Sequence, residues 1–230
     1  MASFNGCVVI GIVGPTCSGK STLADSLRGQ SRGRAFVLAQ DDYCHDRTGL
    51  SNAELARQTI DHPLAVDFAL LNKHVRLLRN GVPVEKPAYC PVTRRRTAGH
   101  VVTPHPIIVV EGPFLLGYAP LARQIDLKVF LALDKEIVVK RRLRRDLFDR
   151  DLHPIDAAAY FHEYVWPSYK RYVEPTKNRA DMVVAGEFDS VTIARKLLAR
   201  IRPLQRRRAT VLPVPTADVP ASLLTLCPTR

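Results

Sequence analysis

Eight residues constrain this chain more than any others. Gly14-Pro15-Thr16-Cys17-Ser18-Gly19-Lys20-Ser21 has the spacing G-x-x-x-x-G-K-S and follows an apolar, β-branched run, Cys7–Val13 (CVVIGIV). Glycines at both ends let the backbone curl until several N–H groups converge on one point. The lysine adds a point charge, the serine hydroxyl can ligate a hard divalent cation, and a helix starting at Ser21 turns its positive end to the same place. Buried strand, glycine loop and helix in that order predict an α/β protein with a parallel sheet that wraps a polyphosphate at the loop. The cradle is read as Gly14, Pro15, Thr16, Cys17, Ser18, Gly19, Lys20, Ser21 and Thr22.

The rest of the sequence repeats the alternation. Ala35–Ala39, Ile107–Val110, Leu127–Leu133 and Met182–Ala185 read as short buried strands. Helices are predicted at Ser21–Arg28, Pro63–Asn80, Asp134–Asp146, Ala157–Tyr172 with a kink at Pro167, and Val191–Ile201. In the second of these, Leu64, Phe68, Leu71, Val75 and Leu78 recur at helical spacing, Pro63 suits the first turn and Gly81 the end. The Pro- and Arg-rich stretch Val82–His105 is an excursion from the alternation, and residues 140–155 form a basic lid. The domain spans residues 1–202, and residues 203–230, with Pro203, Pro213, Pro215, Pro220 and Pro228, read as a tail.

Composition narrows the partners. Of 230 residues, 46% are hydrophobic and 24% charged, which is ordinary for a globular chain and excludes disorder as its main state. Lys+Arg total 34 against 22 Asp+Glu, a net charge of +12, which asks for an anionic partner: nucleic acid, a membrane surface or a small phosphorylated ligand. The charge peaks at Lys140, Arg141, Arg142, Arg144, Arg145 and Arg150, which fits a phosphate clamp better than a long nucleic-acid track. No apolar stretch approaches the roughly 18–20 residues of a membrane span, and the first seven residues lack the positive region of a signal peptide. Neither a membrane nor a nucleic acid is therefore expected as partner. Five cysteines without a CxxC spell neither a disulfide framework nor a zinc site, and point to a reducing, cytoplasmic setting.

Geometry then selects acids. The helix after the loop carries the chain back by about 12–15 Å at about 1.5 Å per residue. The strand Ala35–Ala39 returns it by about 16 Å at about 3.3 Å per residue. Gln40, Asp41 and Asp42 should thus emerge level with the cradle, at the carboxyl edge where open α/β sheets bind ligands. Asp41, the first acid off the strand, is the candidate general base ahead of Asp42. Glu111, directly after Ile107–Val110, is placed likewise, and Ser21, Glu111 and Asp41 are the candidate Mg²⁺ ligands. Lys20, Arg142 and Arg145, with Arg150 beyond them, are candidates for closing positive charge over a transferring phosphoryl group.

With these residues placed, the chain resembles the uridine kinase/phosphoribulokinase branch of the P-loop kinases from about Cys7 to Arg200. Gln40-Asp41, Asp61-His62-Pro63-Leu64-Ala65-Val66-Asp67, Pro87-Ala88-Tyr89, Val110-Glu111-Gly112, and Glu174-Pro175-Thr176-Lys177 with Ala180-Asp181 resemble uridine–cytidine kinases. Gln40-Asp41-Asp42-Tyr43, Glu111-Gly112-Pro113-Phe114-Leu115-Leu116 and Tyr160-Phe161 with Val165-Trp166-Pro167-Ser168-Tyr169 look more like nicotinamide riboside kinases. The resemblance implies a P-loop sheet flanked by helices, an arginine-bearing lid, a separate nucleoside pocket and transfer of the γ-phosphoryl group of Mg²⁺–ATP to a ribose 5′-hydroxyl. It implies that Asp41 is the general base, that Lys20, Ser21 and Glu111 serve ATP and Mg²⁺, and that Asp61 accepts hydrogen bonds from ribose hydroxyls. Arg142 falls near sugar and phosphate, Arg145 and Arg150 match lid arginines, and Tyr89 matches an aromatic residue lining the base pocket. The implied partner is a small nucleoside-like molecule, with assembly into a homo-oligomer left open.

Three positions depart from the uridine kinase pattern. Cys90 follows Tyr89 where an acid is usual, Arg94 stands where a histidine reads the pyrimidine, and Tyr160 replaces a sugar-holding glutamine. Arg94 donates hydrogen bonds but never accepts them. Arg94 and Tyr160 therefore join Asp61, Tyr89 and Arg142 as candidate acceptor-binding residues. The acceptor stays open between uridine or cytidine, nicotinamide riboside and a more acidic molecule drawn to Arg94–Arg96. Two other classes compete. A non-kinase P-loop NTPase would lack guanine readout, because Asn72-Lys73-His74-Val75 has no aspartate. A basic RNA-binding module using Arg94–Arg96 and Arg202–Arg208 would lack an aromatic-interleaved motif. His62 is expected to cap or pack at a helix start.

Overall fold

The computed structural model describes residues 7–50, 59–91, 93–148 and 154–209. Among these residues seven strands form two sheets: β1 (Val8–Val13), β2 (Ala35–Ala39), β3 (Val84–Cys90), β4 (Arg95–Val102), β5 (Ile107–Glu111), β6 (Leu127–Ala132) and β7 (Met182–Ala185). Five of them make an all-parallel sheet in the order β2-β5-β1-β6-β7, and β3 and β4 pair as an antiparallel hairpin. The helices are α1 (Lys20–Gln30), α2 (Phe68–Arg79), α3 (Ala119–Ala122), α4 (Lys135–Phe148), α5 (Pro154–Tyr160), α6 (Trp166–Ser168) and α7 (Ser190–Ala209).

β1 is apolar along its whole length because both of its faces are covered. Val9 and Val13 pack with Phe68, Leu71, Val75 and Leu78 of α2 on one face. Val8, Ile10 and Ile12 pack with Leu23 and Leu27 of α1 and Leu197 and Ile201 of α7 on the other. Gly11 is the small residue of this strand for a reason: a methyl group there would lie 2.7 Å from Ile125 Cδ1. The P-loop α/β fold expected from the strand–loop–helix order is the fold observed. None of the described helices is long and apolar enough to cross a membrane.

The structure redraws three helices. The stretch predicted as one helix from Pro63 to Asn80 is a 3₁₀ turn at Pro63–Ala65, an extended residue at Val66 and then α2. Val66 bridges Cys44, and Asp67 caps α2 by accepting from the Leu70 N–H at 2.9 Å. A side-chain cap here gives the helix a better start than Pro63 does. Leu64, counted above in the apolar stripe, is 82% exposed.

The helix predicted over Ala157–Tyr172 begins earlier, at Pro154, and is interrupted by widened π turns at Phe161–Val165 and Tyr169–Val173 on either side of Pro167. Pro167 has no N–H to give the ladder, and the loosened turns absorb that loss where a kink was expected.

The closing helix runs through Pro203 to Ala209, seven residues into the stretch read as a tail. Leu204 packs on the core of that face and Gln205 Nε2 donates to Pro106 O at 3.3 Å. These tertiary contacts offset the hydrogen bond Pro203 removes.

Candidate active site

The sheet register brings three strand ends level. Glu111, the last residue of β5, pairs with Ile12 of β1 on one side and Ala39 of β2 on the other. The loop after β1, the turn after β2 and the Glu111 carboxylate therefore share one edge, as the alternation of short strands and helices predicts.

The loop is built for an anion. Gly14 and Gly19 hold φ of 157° and 89°, and a Cβ on Gly14 would fall 2.5 Å from Leu131 O. Cys17 also sits at positive φ, 58°, a conformation uncommon outside glycine. Gly19 starts α1 without a side-chain cap, and no acid stands in the first turn. The N-terminal amides of α1 are thus left for a ligand. Ser18 Oγ is buried in the loop with no partner among the described residues. A cradle of this kind fits a polyphosphate.

Lys20 is 8% exposed and Glu111 9% exposed. Lys20 Nζ donates to Pro15 O at 2.7 Å, and Ser21 Oγ donates to Glu111 Oε1 at 2.9 Å. Burial lowers the Lys20 pKa, while Glu111, Asp41 and Cys17 pull it back up and Arg145 adds to the fall. Burial raises Glu111, against the pull of Lys20, and Asp41 pushes it further up. These couplings place Asp41 in the electrostatic field of both groups. The Ser21–Glu111 oxygen pair suits a hard cation. No cluster of three or more His, Cys, Asp or Glu fit for a metal occurs among the described residues. A pair of oxygens of this kind fits Mg²⁺, which takes one or two protein oxygens and completes its shell with phosphate and water.

Asp41 and Asp42 lie on a 3₁₀ turn, Gln40–Tyr43. Buried Gln40 accepts from the Phe114 N–H at 2.9 Å, and a Cβ on Gly112 would sit 2.3 Å from Gln40 Cβ. The Glu-Gly-Pro-Phe segment after β5 thus holds this turn, which explains why a glycine follows Glu111. Asp42 pairs with Lys86 at 2.5 Å, and Asp41 is exposed beside the cradle.

A second cluster joins Asp61, Arg142 and Tyr160. Arg142, 2% exposed, places Nη1 3.2 Å from Asp61 Oδ1 and Nη2 3.3 Å from Oδ2. Its Nε donates to Asp146 Oδ2 at 2.5 Å, and Nη1 also reaches Thr16 Oγ1 in the cradle at 3.3 Å. Burial alone would lower the guanidinium pKa, but Asp61 and Asp146 outweigh it and the net direction is up. Tyr160 bonds Thr59 Oγ1 at 2.5 Å, and burial, with the Asp61 charge beside it, pushes its phenol up to about 12. Arg141, from the same helix, ties α4 to Cys17 O at 3.4 Å and to Glu187. With Arg144, Arg145 and Phe148 it lines a pocket of about 330 Å³.

The structure brings together Lys20, Ser21, Glu111 and Asp41, and separately Asp61, Arg142, Tyr160 and Thr16. Tyr89 and Arg94 lie on the hairpin. The Tyr89 hydroxyl is shielded, without a hydrogen-bond partner among the described residues, and burial followed by the Cys44 charge raises its pKa. Arg94 forms the exposed hairpin turn at φ 57°, and its carbonyl accepts from the Arg47 N–H at 3.0 Å. Arg150 lies outside the described residues.

Asp146 and Thr59 are the site residues that sequence reading passed over, and it also missed Lys86, which pairs with Asp42 outside the two clusters. Asp146 follows Arg142 by four, a helical neighbour that could have been found. Thr59 and Lys86 carry no local signal. His62 caps as expected: Nδ1 accepts from the Leu64 N–H at 3.1 Å, so Nε2 carries the proton and donates to Tyr172 Oη at 2.9 Å.

The model of the phosphoribulokinase/uridine kinase family matches residues 9–192. The uridine kinase of Enterobacter sp. (strain 638), a curated relative, is 33% identical over 184 residues, covering 77% of this chain and 86% of its own length. Among solved structures, a possible uridine kinase from Bacillus stearothermophilus has a TM-score of 0.55 at 24% identity, covering 77% of this chain and 88% of its own. The phosphoribulokinase from Rhodobacter spheroides reaches 0.63 at 14% identity, covering 80% and 72%. At those identities the two structures speak for the fold.

Proposed function

The chain belongs to the phosphoribulokinase/uridine kinase family and is a P-loop kinase; from that premise we propose that it transfers the γ-phosphoryl group of ATP to the 5′-hydroxyl of a nucleoside of the uridine or cytidine type. The observation that carries this reading is the Arg142 bridge: one buried guanidinium joins the cradle, at Thr16, to a carboxylate, Asp61, that has capacity left to accept sugar hydroxyls. A carboxylate offers about four lone-pair directions, and Arg142 takes two of them.

Each residue then has a task. The N–H groups between Gly14 and Thr22, Pro15 excepted, and the Lys20 ammonium would grip the phosphates. Ser21 and Glu111 would hold Mg²⁺. When bound, Mg²⁺–ATP supplies the electrophilic γ-phosphorus and neutralises part of its charge. Asp61 and Arg142 orient the sugar so that its 5′-oxygen faces the transferring group. Asp41 accepts the hydroxyl proton as that oxygen forms its bond to the γ-phosphorus and the bond to the β,γ-bridging oxygen breaks, releasing ADP. Arg142 and Arg145 stabilise the charge that spreads over the transferred group, and Tyr160 and Tyr89 flank the acceptor.

Nicotinamide riboside is a second reading. Tyr160 and Tyr164 have ring centroids 5.2 Å apart beside Asp61, and such an aromatic pair suits a cationic base. An acceptor panel with Mg²⁺–ATP, comprising uridine, cytidine, nicotinamide riboside, ribulose 5-phosphate and pantothenate, tests the proposal by kcat/KM. Uridine or cytidine should lead. A panel led by ribulose 5-phosphate or pantothenate would overturn the nucleoside reading.

A further inference from the structure

The ion pair between Lys86 and Asp42 takes no part in the chemistry above, yet it is one of the most carefully built contacts in the molecule. Lys86 stands on β3 where the hairpin leaves regular pairing. Lys86 faces His100 and Ala88 faces Thr97, so two residues of β4, Ala98 and Gly99, oppose Pro87 alone. Pro87 has no N–H for the ladder. A Cβ on Gly99 would fall 1.5 Å from Lys86 O, so only glycine lets the strands approach this closely. A bulge of this kind twists a strand and re-aims a side chain. The side chain at this bulge is Lys86, 7% exposed, with Nζ 2.5 Å from Asp42 Oδ2 and 3.3 Å from Pro87 O.

Asp42 neighbours Asp41 on the Gln40–Tyr43 turn. A 3₁₀ turn has about three residues per revolution, so adjacent side chains project roughly 120° apart. Anchoring several of these side chains holds the backbone of the turn, and with it the point from which Asp41 projects. Gln40 is held by the Phe114 N–H, and Tyr43 Oη bonds buried His74 Nδ1 at 3.0 Å. Lys86 holds Asp42. Asp41 is the exposed residue of the turn.

We propose that Lys86 is a positioning residue for phosphoryl transfer: by holding Asp42 against the β3–β4 hairpin it fixes the turn from which the neighbouring Asp41 projects toward the acceptor. The inference rests on the reading of Asp41 as the base. It also makes the hairpin that bears Tyr89 and Arg94 a mechanical partner of the catalytic turn. Occupancy of the hairpin side of the pocket thereby bears on the aim of the base.

Steady-state kinetics of Lys86→Met and Lys86→Arg, with Mg²⁺–ATP and the leading acceptor of the panel, test it. A base displaced by about an ångström should lower kcat of Lys86→Met by about 10–100-fold. KM for ATP and the slow ATP hydrolysis without acceptor should stay within about twofold, since the cradle is untouched. Lys86→Arg, which can hold the same carboxylate, should recover most of kcat. If Lys86→Met does not fold, Lys86→Met/Asp42→Asn, which leaves no unpaired charge inside, should still be slow. A folded Lys86→Met or double variant with wild-type kcat, or a Lys86→Arg as slow as Lys86→Met, overturns the proposal. Asp41→Asn is measured alongside: if it is crippled while Lys86→Met is not, only the positioning role falls, and if Asp41→Asn is fully active the base assignment falls with it.

Discussion

Arg142 stands between two carboxylates and engages both, Asp61 through its two terminal nitrogens at 3.2 and 3.3 Å and Asp146 through Nε at 2.5 Å. Asp146 is buried inside helix α4, so the guanidinium is also what makes its charge tolerable there. The same side chain touches Thr16, which links α4, the proposed sugar site and the loop after β1 in one contact set.

Removing Arg142 should therefore harm stability and activity together. Arg142→Met takes from buried Asp146 its shorter ion pair and leaves Arg145 Nε at 3.5 Å; removing one partner of a buried pair costs up to about 3–5 kcal/mol. Urea unfolding should read that loss. Arg142→Lys keeps a charge but cannot fork to three partners, so it should recover part of the stability and little of kcat/KM for the acceptor. Equal recovery of both would show that only the charge matters.

Asp41→Asn should lower kcat by about 10²–10⁴. The substitution preserves shape and leaves the cradle intact, so ATP affinity measured by calorimetry should change little. Asp42→Asn should cost less than Asp41→Asn and at most about as much as Lys86→Met, because it weakens the Lys86 contact without removing the base. A larger loss at Asp42 than at Asp41 would exchange their roles.

The two buried ionisable groups of the cradle predict a narrow pH window. Burial raises Glu111 from an ordinary 4.5 and lowers Lys20 from an ordinary 10.5. Binding of Mg²⁺–ATP to the free enzyme needs Glu111 ionised and Lys20 charged. As pH falls, Glu111 takes up its proton at a higher pH than a solvated glutamate. As pH rises, Lys20 loses its proton at a lower pH than a solvated lysine. The profile of kcat/KM for ATP, which reports the free enzyme, should fall on both sides inside those ordinary values. Glu111→Gln should move the acid limb to lower pH and raise the Mg²⁺ concentration needed for half-maximal rate. An acid limb unmoved by Glu111→Gln would assign it to another group.

Much of this site could be read from the chain because each strand of the parallel sheet is a short apolar run that ends on a chemically distinct residue. Val13 gives way to Gly14, Ala39 to Gln40 and Asp41, and Val110 to Glu111, and the parallel register then sets those ends level. Contacts that depend on pairing between distant segments could not be read this way. Leu64 fits a helical repeat with Phe68 and Leu71, and only the bridge of Val66 to Cys44 takes it off the helix. Lys86 looks like any strand lysine until the bulge opposite Gly99 turns it inward. Asp146 was hidden by the arginines around it, although its spacing from Arg142 was plain. Pro203 signals a stop, and the packing of Leu204 overrides it.

The corrected start of α2 has its own consequence. Leu64→Ala should change stability by less than about 0.5 kcal/mol, as for an exposed site. Leu71→Ala, in the core between α2 and the sheet, should cost about 2–5 kcal/mol. Similar losses at both positions would restore a single helix from Pro63.

The most direct measurement follows the phosphoryl group itself. ATP labelled with ¹⁸O in its γ-phosphoryl group is incubated with Mg²⁺, the protein and uridine, and the products are resolved by mass spectrometry. The account predicts that the label appears in uridine 5′-monophosphate and that Asp41→Asn abolishes most of the transfer. Label released only as inorganic phosphate, at a rate that uridine does not change, would contradict it.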